Sequence, residues 1–185
     1  MAGIIDTDIC VIGGGSGGLT VAAGASQMGA RVVLIEKGKM GGDCLNYGCV
    51  PSKALIAAGH AAHAIRESGR FGIAAATPEV DFRGVHDHVH GVIGAIAPND
   101  SVERFEGLGV TVLQAAARFT GAREVEAGGT RVRAKYFVVA TGSSAGMPPI
   151  PGLDTVPYLT NETVFDLTEG PAHLIVIGGG PIGCE

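Results

Sequence analysis

The stretch IGGGSGGL constrains the fold more than any other part of the sequence. It sets Gly13, Gly15 and Gly18 as GxGxxG directly behind the apolar run Ile9, Cys10, Val11, Ile12 and ahead of a segment of small residues. A strand that runs into glycines and then into a helix makes a tight turn whose backbone N–H groups and helix N-terminus can hold a pyrophosphate. Leu19 to Met28 has helical composition, Gly29 is a stop, and Arg31 to Ile35 reads as a β-branched strand closing at Glu36. An acidic residue there can bind a ribose hydroxyl pair, so the reading is a βαβ unit with a dinucleotide-binding turn and not glycines that only pack helix on strand.

The remainder of the chain supports an α/β protein. Pro51 to about Arg66 is rich in Ala and Leu and predicts a helix with Pro51 in its first turn; a second helix is expected from Gly84 to Glu106. Four strands follow, Val110 to Leu113, Glu124 to Ala127, Arg131 to Ala134 and Tyr136 to Ala140, the middle two joined by Gly128-Gly129 as a small antiparallel meander. Residues 1–145 are therefore expected to form the first domain and 146–170 a Pro-rich, irregular linker. Residues 171–185 begin a second nucleotide-binding unit: Ala172 to Ile177 repeats the apolar strand, and GGGPIG repeats the turn.

Composition excludes several classes. With 185 residues, 46% hydrophobic and 17% charged, the chain can bury a core and is not disordered. Its 13 basic residues face 18 acidic ones without a basic cluster, so no nucleic-acid partner is expected. No apolar run approaches the ~18 residues of a membrane span, and the opening residues lack a signal-peptide pattern. A cytoplasmic protein without a membrane partner is expected. Stable disulfides are rare in that compartment, which bears directly on Cys44 and Cys49.

These two cysteines, separated by LNYG, stand just before the Pro51 helix, whose N-terminus can stabilise a thiolate on either sulfur. Lys53 lies one helical turn after Cys49 on the same face. A zinc half-site lacks the second cysteine pair that would complete it, so a redox-active disulfide is the preferred reading over zinc or two buried thiols. In HDHVH, only His86 and His90 share a helical face, with no acidic or cysteine completion, and no metal site is assigned to them or to His88. Cys10 and Cys184 read as small buried residues.

GxGxxG with Glu36, the block GGDCLNYGCVPSK, ATGS at Ala140 to Ser143 and the second glycine motif at Gly178 to Gly183 together resemble the flavoprotein pyridine nucleotide-disulfide oxidoreductases. That family includes dihydrolipoamide dehydrogenase, mercuric reductase and glutathione reductase. The resemblance implies a Rossmann-like FAD-binding domain, with a parallel sheet plus an antiparallel meander. It implies FAD contacts for Gly13, Gly15, Ser16, Gly17 and Gly18 at the pyrophosphate and for Glu36 with Lys37 at the adenosine ribose. Gly42 and Asp43 would lie by the phosphates, Ala116 and Ala117 by the adenine, and Ala140, Thr141 and Gly142 close to the cofactor.

By the same resemblance Cys49 is the sulfur against the flavin and Cys44 the interchange thiol that attacks the substrate disulfide. Lys53 would lie by the flavin edge with Glu185 as its partner. The implied reaction moves electrons between NAD or NADP, flavin, the Cys44–Cys49 pair and either a small disulfide or dithiol or mercuric ion. The full-length parent would be a homodimer, and a flavin-binding fragment without turnover is the competing expectation for this chain. Asp43 departs from the threonine common at its position, and a negative charge near phosphates needs compensation. Pro181 in place of a flavin-shielding aromatic residue, and VPSK, point toward the dihydrolipoamide dehydrogenase and mercuric reductase side.

Overall fold

The apolar run before the glycines forms β1 (Ile4–Ile12), and β2 (Val32–Glu36) follows α1 (Ser16–Gln27), completing the expected βαβ unit. The structure is a computed structural model that describes residues 3–185. It divides into two units, one running up to Asn46 and including Ile96–Ser144, the other comprising Tyr47–Ala95 and Ala145–Glu185.

In the first unit β1 pairs in parallel with β2 on one side, Cys10 opposite Val33, and with β6 (Thr130–Val139) on the other, Cys10 opposite Phe137. β3 (Thr111–Gln114) extends the parallel part beside β2, while β5 (Glu124–Ala127) and β4 (Ala117–Gly121) are antiparallel beyond β6. The order is β3-β2-β1-β6-β5-β4. Its two outermost strands, β3 and β4, are joined by Ala115 and Ala116 alone, a link that spans about 10 Å at most. The sheet must therefore curl so that the meander covers one face of the parallel strands. The buried residues agree: Cys10, Val33 and Ile35 pack with Val125, Ala127, Val132 and Ala134 of the meander.

The opposite face is closed by helices. Val11, Val32 and Leu34 pack with Leu19 and Ala22 of α1 and with Phe105 of α5 (Val102–Gly107). β2 is thus buried on both sides, as its unbroken VVLIE run requires. Each such buried side chain contributes about 1.5–3 kcal/mol. Along β6 the alternation differs: Val132 and Ala134 point inward, whereas Arg131, Arg133 and Lys135 stay at the surface. Arg133 reaches Glu124 at 3.5 Å and Asp6 at 3.8 Å, and Asp8 lies between Lys135 at 2.8 Å and Arg31 at 3.2 Å.

Three sequence-based expectations are corrected here. The single helix expected from Gly84 to Glu106 is α4 (Phe82–Ile96), a 3-10 turn at Ala97–Asp100 and α5, because Pro98 interrupts the ladder and Ser101 turns extended, its Oγ accepting from the Arg104 N–H at 3.2 Å. The two strands expected on either side of Lys135 are one strand, β6, and β4 was not anticipated. The glycine turn between β5 and β6 does form, with φ of +57° at Gly128 and +79° at Gly129. Finally, residues 172–177 are not a strand: the run is apolar and exposed, and no described residue supplies the ladder hydrogen bonds a strand needs.

The second unit holds α3 (Cys49–Glu67), α4, and short 3-10 turns at Leu153–Thr155 and Val164–Asp166, and ends in α6 (Pro181–Cys184). Within it His90 Nε2 lies 3.5 Å from Asp166, and the His86 and His90 rings stack at 4.1 Å. Among the described residues, no helix is long and apolar enough to cross a membrane.

Candidate dinucleotide and redox site

Backbone contacts explain the glycines of the first turn. Gly13 has φ of +112°, donates its N–H to Ile35 O at 2.8 Å, and would place a Cβ 2.1 Å from Ala140 O. A Cβ at Gly18 would stand 1.8 Å from Gly13 O, so α1 sits directly on the end of β1. At Gly17, by contrast, a Cβ would meet nothing within 4 Å, and Ser16 and Gly17 are exposed. The cap of α1 is Gly15, which offers no side-chain hydrogen bond to the first-turn N–H groups. The turn is therefore tight where strand meets helix and open where an anion would approach.

Glu36 serves this turn directly. Its carboxylate accepts from the Gly14 N–H and from the Gly38 N–H, the latter at 2.6 Å, tying the glycine loop to the end of β2. Lys37 is exposed beside it. Ala140 follows β6 into the same place, its N–H donating to Ile12 O at 2.8 Å, while Thr141 and Gly142 continue exposed. Ala116 and Ala117 lie at the β3–β4 link, and Ala117 packs against the buried cluster that includes Cys10, Val33 and Ile35.

The cysteine loop docks on the back of the same turn. Gly41 donates its N–H to Gly14 O at 2.9 Å, and a Cβ at Gly42 would come within 2.6 Å of Gly15 Cα. Both residues have positive φ, +84° and +57°. They lead into α2 (Gly42–Asn46), which carries exposed Asp43 and half-buried Cys44. Cys49 opens α3, exposed, with Lys53 exposed one turn later. Glu185 accepts from Ser52 Oγ at 2.9 Å, on the residue that precedes Lys53. Gly14, Gly38 and Gly41 take part in these contacts through their backbone N–H groups although sequence reading did not single them out; a backbone hydrogen bond to a distant loop leaves no signal in the residue type.

The other cysteines divide. Cys10 is fully buried and its thiol is pushed up to about 12 by desolvation, which keeps it unreactive. Cys184 was expected to be buried and is exposed, because the preceding apolar run has no sheet to cover it. Even so, the second glycine turn copies the first: Gly178 has φ of +118°, and a Cβ at Gly183 would lie 2.2 Å from Gly178 O and 3.3 Å from Val176 Cγ1. For Gly18 the matching distances, to Gly13 O and Val11 Cγ1, are 1.8 and 3.2 Å. In α4, His86 Nδ1 lies 2.9 Å from Asp87 Oδ1, and among the described residues no group of three His, Cys, Asp or Glu could hold a metal ion.

A parallel sheet bearing a glycine turn, a strand-end glutamate and a covering meander defines a Rossmann-like dinucleotide-binding protein. The family of pyridine nucleotide-disulphide oxidoreductases matches residues 7–185, and the chain belongs to it. Proteins of this family use FAD and a pyridine nucleotide. Its relatives include a mercuric reductase of Streptomyces lividans, 38% identical over 96% of this chain, and a dihydrolipoyl dehydrogenase of Thermus scotoductus, 37% identical over 96%. The chain spans 39% and 38% of the length of these two relatives. A Cu(II) complex of a variant of RclA, an HOCl-induced flavoprotein disulfide reductase of Escherichia coli, superposes with a TM-score of 0.79 at 26% identity, covering 97% of this chain and 38% of that one.

Proposed function

We propose that this chain forms the FAD-binding and thiol-bearing part of a disulfide oxidoreductase. The observation that carries the proposal is the docking of the Cys44 loop on the glycine turn that Glu36 shapes, which puts a dinucleotide turn and a thiol loop back to back in one unit. The residues fit the cofactor: the open cap at Gly15 and the clear space at Gly17 suit a pyrophosphate, and Glu36 stands at the strand end where a ribose would lie. Bound FAD supplies a two-electron relay between a nicotinamide and the cysteine pair. Asp43, at the exposed start of α2, brings a negative charge that must be turned away from the phosphates or compensated.

The thiol chemistry is assigned to Cys44 and Cys49. The Cys44 thiolate attacks one sulfur of the substrate disulfide and releases the first thiol. Cys49 then displaces the second by attacking Cys44, so the substrate gains two electrons and the protein ends as the Cys44–Cys49 disulfide. Lys53, one turn beyond Cys49, supplies a positive charge on the same helix face, and Glu185 is taken as part of this site through Ser52. Residues 1–145 would form the first FAD-binding segment, 146–170 the linker, and 171–185 the start of the NAD(P)-binding unit, a reading the repeated turn geometry at Gly178 and Gly183 supports. Relatives named for mercuric ion and for dihydrolipoyl groups favour those two substrate classes, and the whole protein is taken to work as a cytoplasmic homodimer.

Purifying the chain and titrating it with FAD tests the proposal. Flavin absorbance that stays with the protein through gel filtration is expected. A colourless protein that cannot be reconstituted refutes it.

A further inference from the structure

We propose that Asn46 is the positioning residue for Cys44, an assignment that builds on reading Cys44 as the interchange thiol. α2 spans only Gly42–Asn46, too short to hold itself by its own ladder, and it is entered through two glycines with positive φ. Something outside the ladder must hold it. The Asn46 side-chain amide does so: Nδ2 donates to Met40 O at 3.0 Å and to Gly42 O at 2.8 Å. Both amide hydrogens are spent on carbonyls that precede Cys44, while Asn46 itself follows it, so the clamp closes residues 40–46 into a ring with Cys44 inside. The opposite amide orientation would set oxygen against two carbonyl oxygens, which fixes the assignment of nitrogen.

The ring is also seated. Gly41 donates to Gly14 O, and Gly42 lies on Gly15, so the clamp transmits the position of the dinucleotide turn to the thiol. Leucine of similar size would keep the shape and lose both bonds. Aspartate would keep the shape and face two carbonyls with acceptors only, unless protonated.

The test is the reactivity of each cysteine in the reduced full chain toward 2,2′-dithiodipyridine, resolved by peptide mass spectrometry. In Asn46→Asp at pH 7 the half-buried Cys44 should react at least about fivefold faster, the factor that one lost hydrogen bond makes in a local opening equilibrium. Cys49 and Cys184 serve as references and should keep their wild-type rates. Near pH 4 the Asp side chain, whose charged form is disfavoured by the two carbonyls, regains a proton, and the Cys44 rate should fall back toward wild type. Asn46→Ala should stay fast at both pH values. An unchanged Cys44 rate in both variants, equal acceleration of all exposed cysteines, or a pH-independent Asp variant would each overturn the assignment. Failure of wild-type Cys44 and Cys49 to form a disulfide on oxidation would instead sink the redox reading and leave the clamp standing.

Discussion

Replacing Gly18 by alanine should cost the first unit about 3 kcal/mol, and the reason lies in three distances. The new Cβ would stand 1.8 Å from Gly13 O, 3.0 Å from Gly13 C and 3.2 Å from Val11 Cγ1, where ordinary contact begins at 3.4 Å, so 3.4 − 1.8 = 1.6 Å must be recovered. The nearest obstacles are backbone atoms, and that backbone is pinned by the Gly13 N–H to Ile35 O hydrogen bond. α1 must therefore move, and it carries Leu19 and Ala22 of the core with it. Overpacking of this kind costs about 1–3 kcal/mol, with backbone obstruction at the upper end. Gly24 provides a control on the same helix: a Cβ there meets nothing within 4 Å, and alanine should stabilise by about 0.5–1 kcal/mol. Urea titration followed by far-UV circular dichroism measures both, and the Gly18→Ala midpoint should drop by about 1 M or more. A Gly18→Ala chain as stable as wild type would refute the close helix–strand contact.

Three further outcomes are expected. Asp8 is held well below the usual carboxylate range by hydrogen bonds from Arg31 and Lys135, so the folded state binds fewer protons and this contribution is full above the unfolded pKa of about 3.9 and lost as pH falls below it. Asp8→Asn should lower Tm at neutral pH, with the gap to wild type closing in acid; a gap independent of pH contradicts the ion-pair origin. Glu36→Ala removes the acceptor for the Gly14 and Gly38 N–H groups and should destabilise by about 1–3 kcal/mol in urea titration, with weaker FAD retention. In the full-length protein Cys49→Ser should trap substrate as a mixed disulfide on Cys44, read by intact mass; trapping only in Cys44→Ser would reverse the two roles.

What the sequence disclosed and what it hid separate along one physical line. The glycine turns were legible because their geometry is local: Gly178, Gly183 and Val176 reproduce the Gly13, Gly18 and Val11 arrangement although no sheet stands beneath them. The Gly128-Gly129 hairpin and Pro51 in the first turn of α3 were legible for the same reason. Strands are not local. Residues 172–177 have as apolar a run as β1 and remain irregular, whereas β4, with exposed Arg118, Phe119 and Thr120, is a strand because β5 pairs with it. Periodicity in one segment cannot report a partner in another. The same limit applied to the site: Glu36 was found from its place at the end of β2, but its hold on Gly14, and the seat that Gly15 gives Gly42, depend on distant loops meeting. Asn46 marks the boundary, since its bonds to Met40 and Gly42 are local yet matter only because Gly41 is docked on Gly14. A loop so held by backbone contacts tolerates substitution poorly at its glycines, since a Cβ at Gly42 would meet Gly15 Cα at 2.6 Å and one at Gly41 would meet the Leu45 side chain at 2.3 Å.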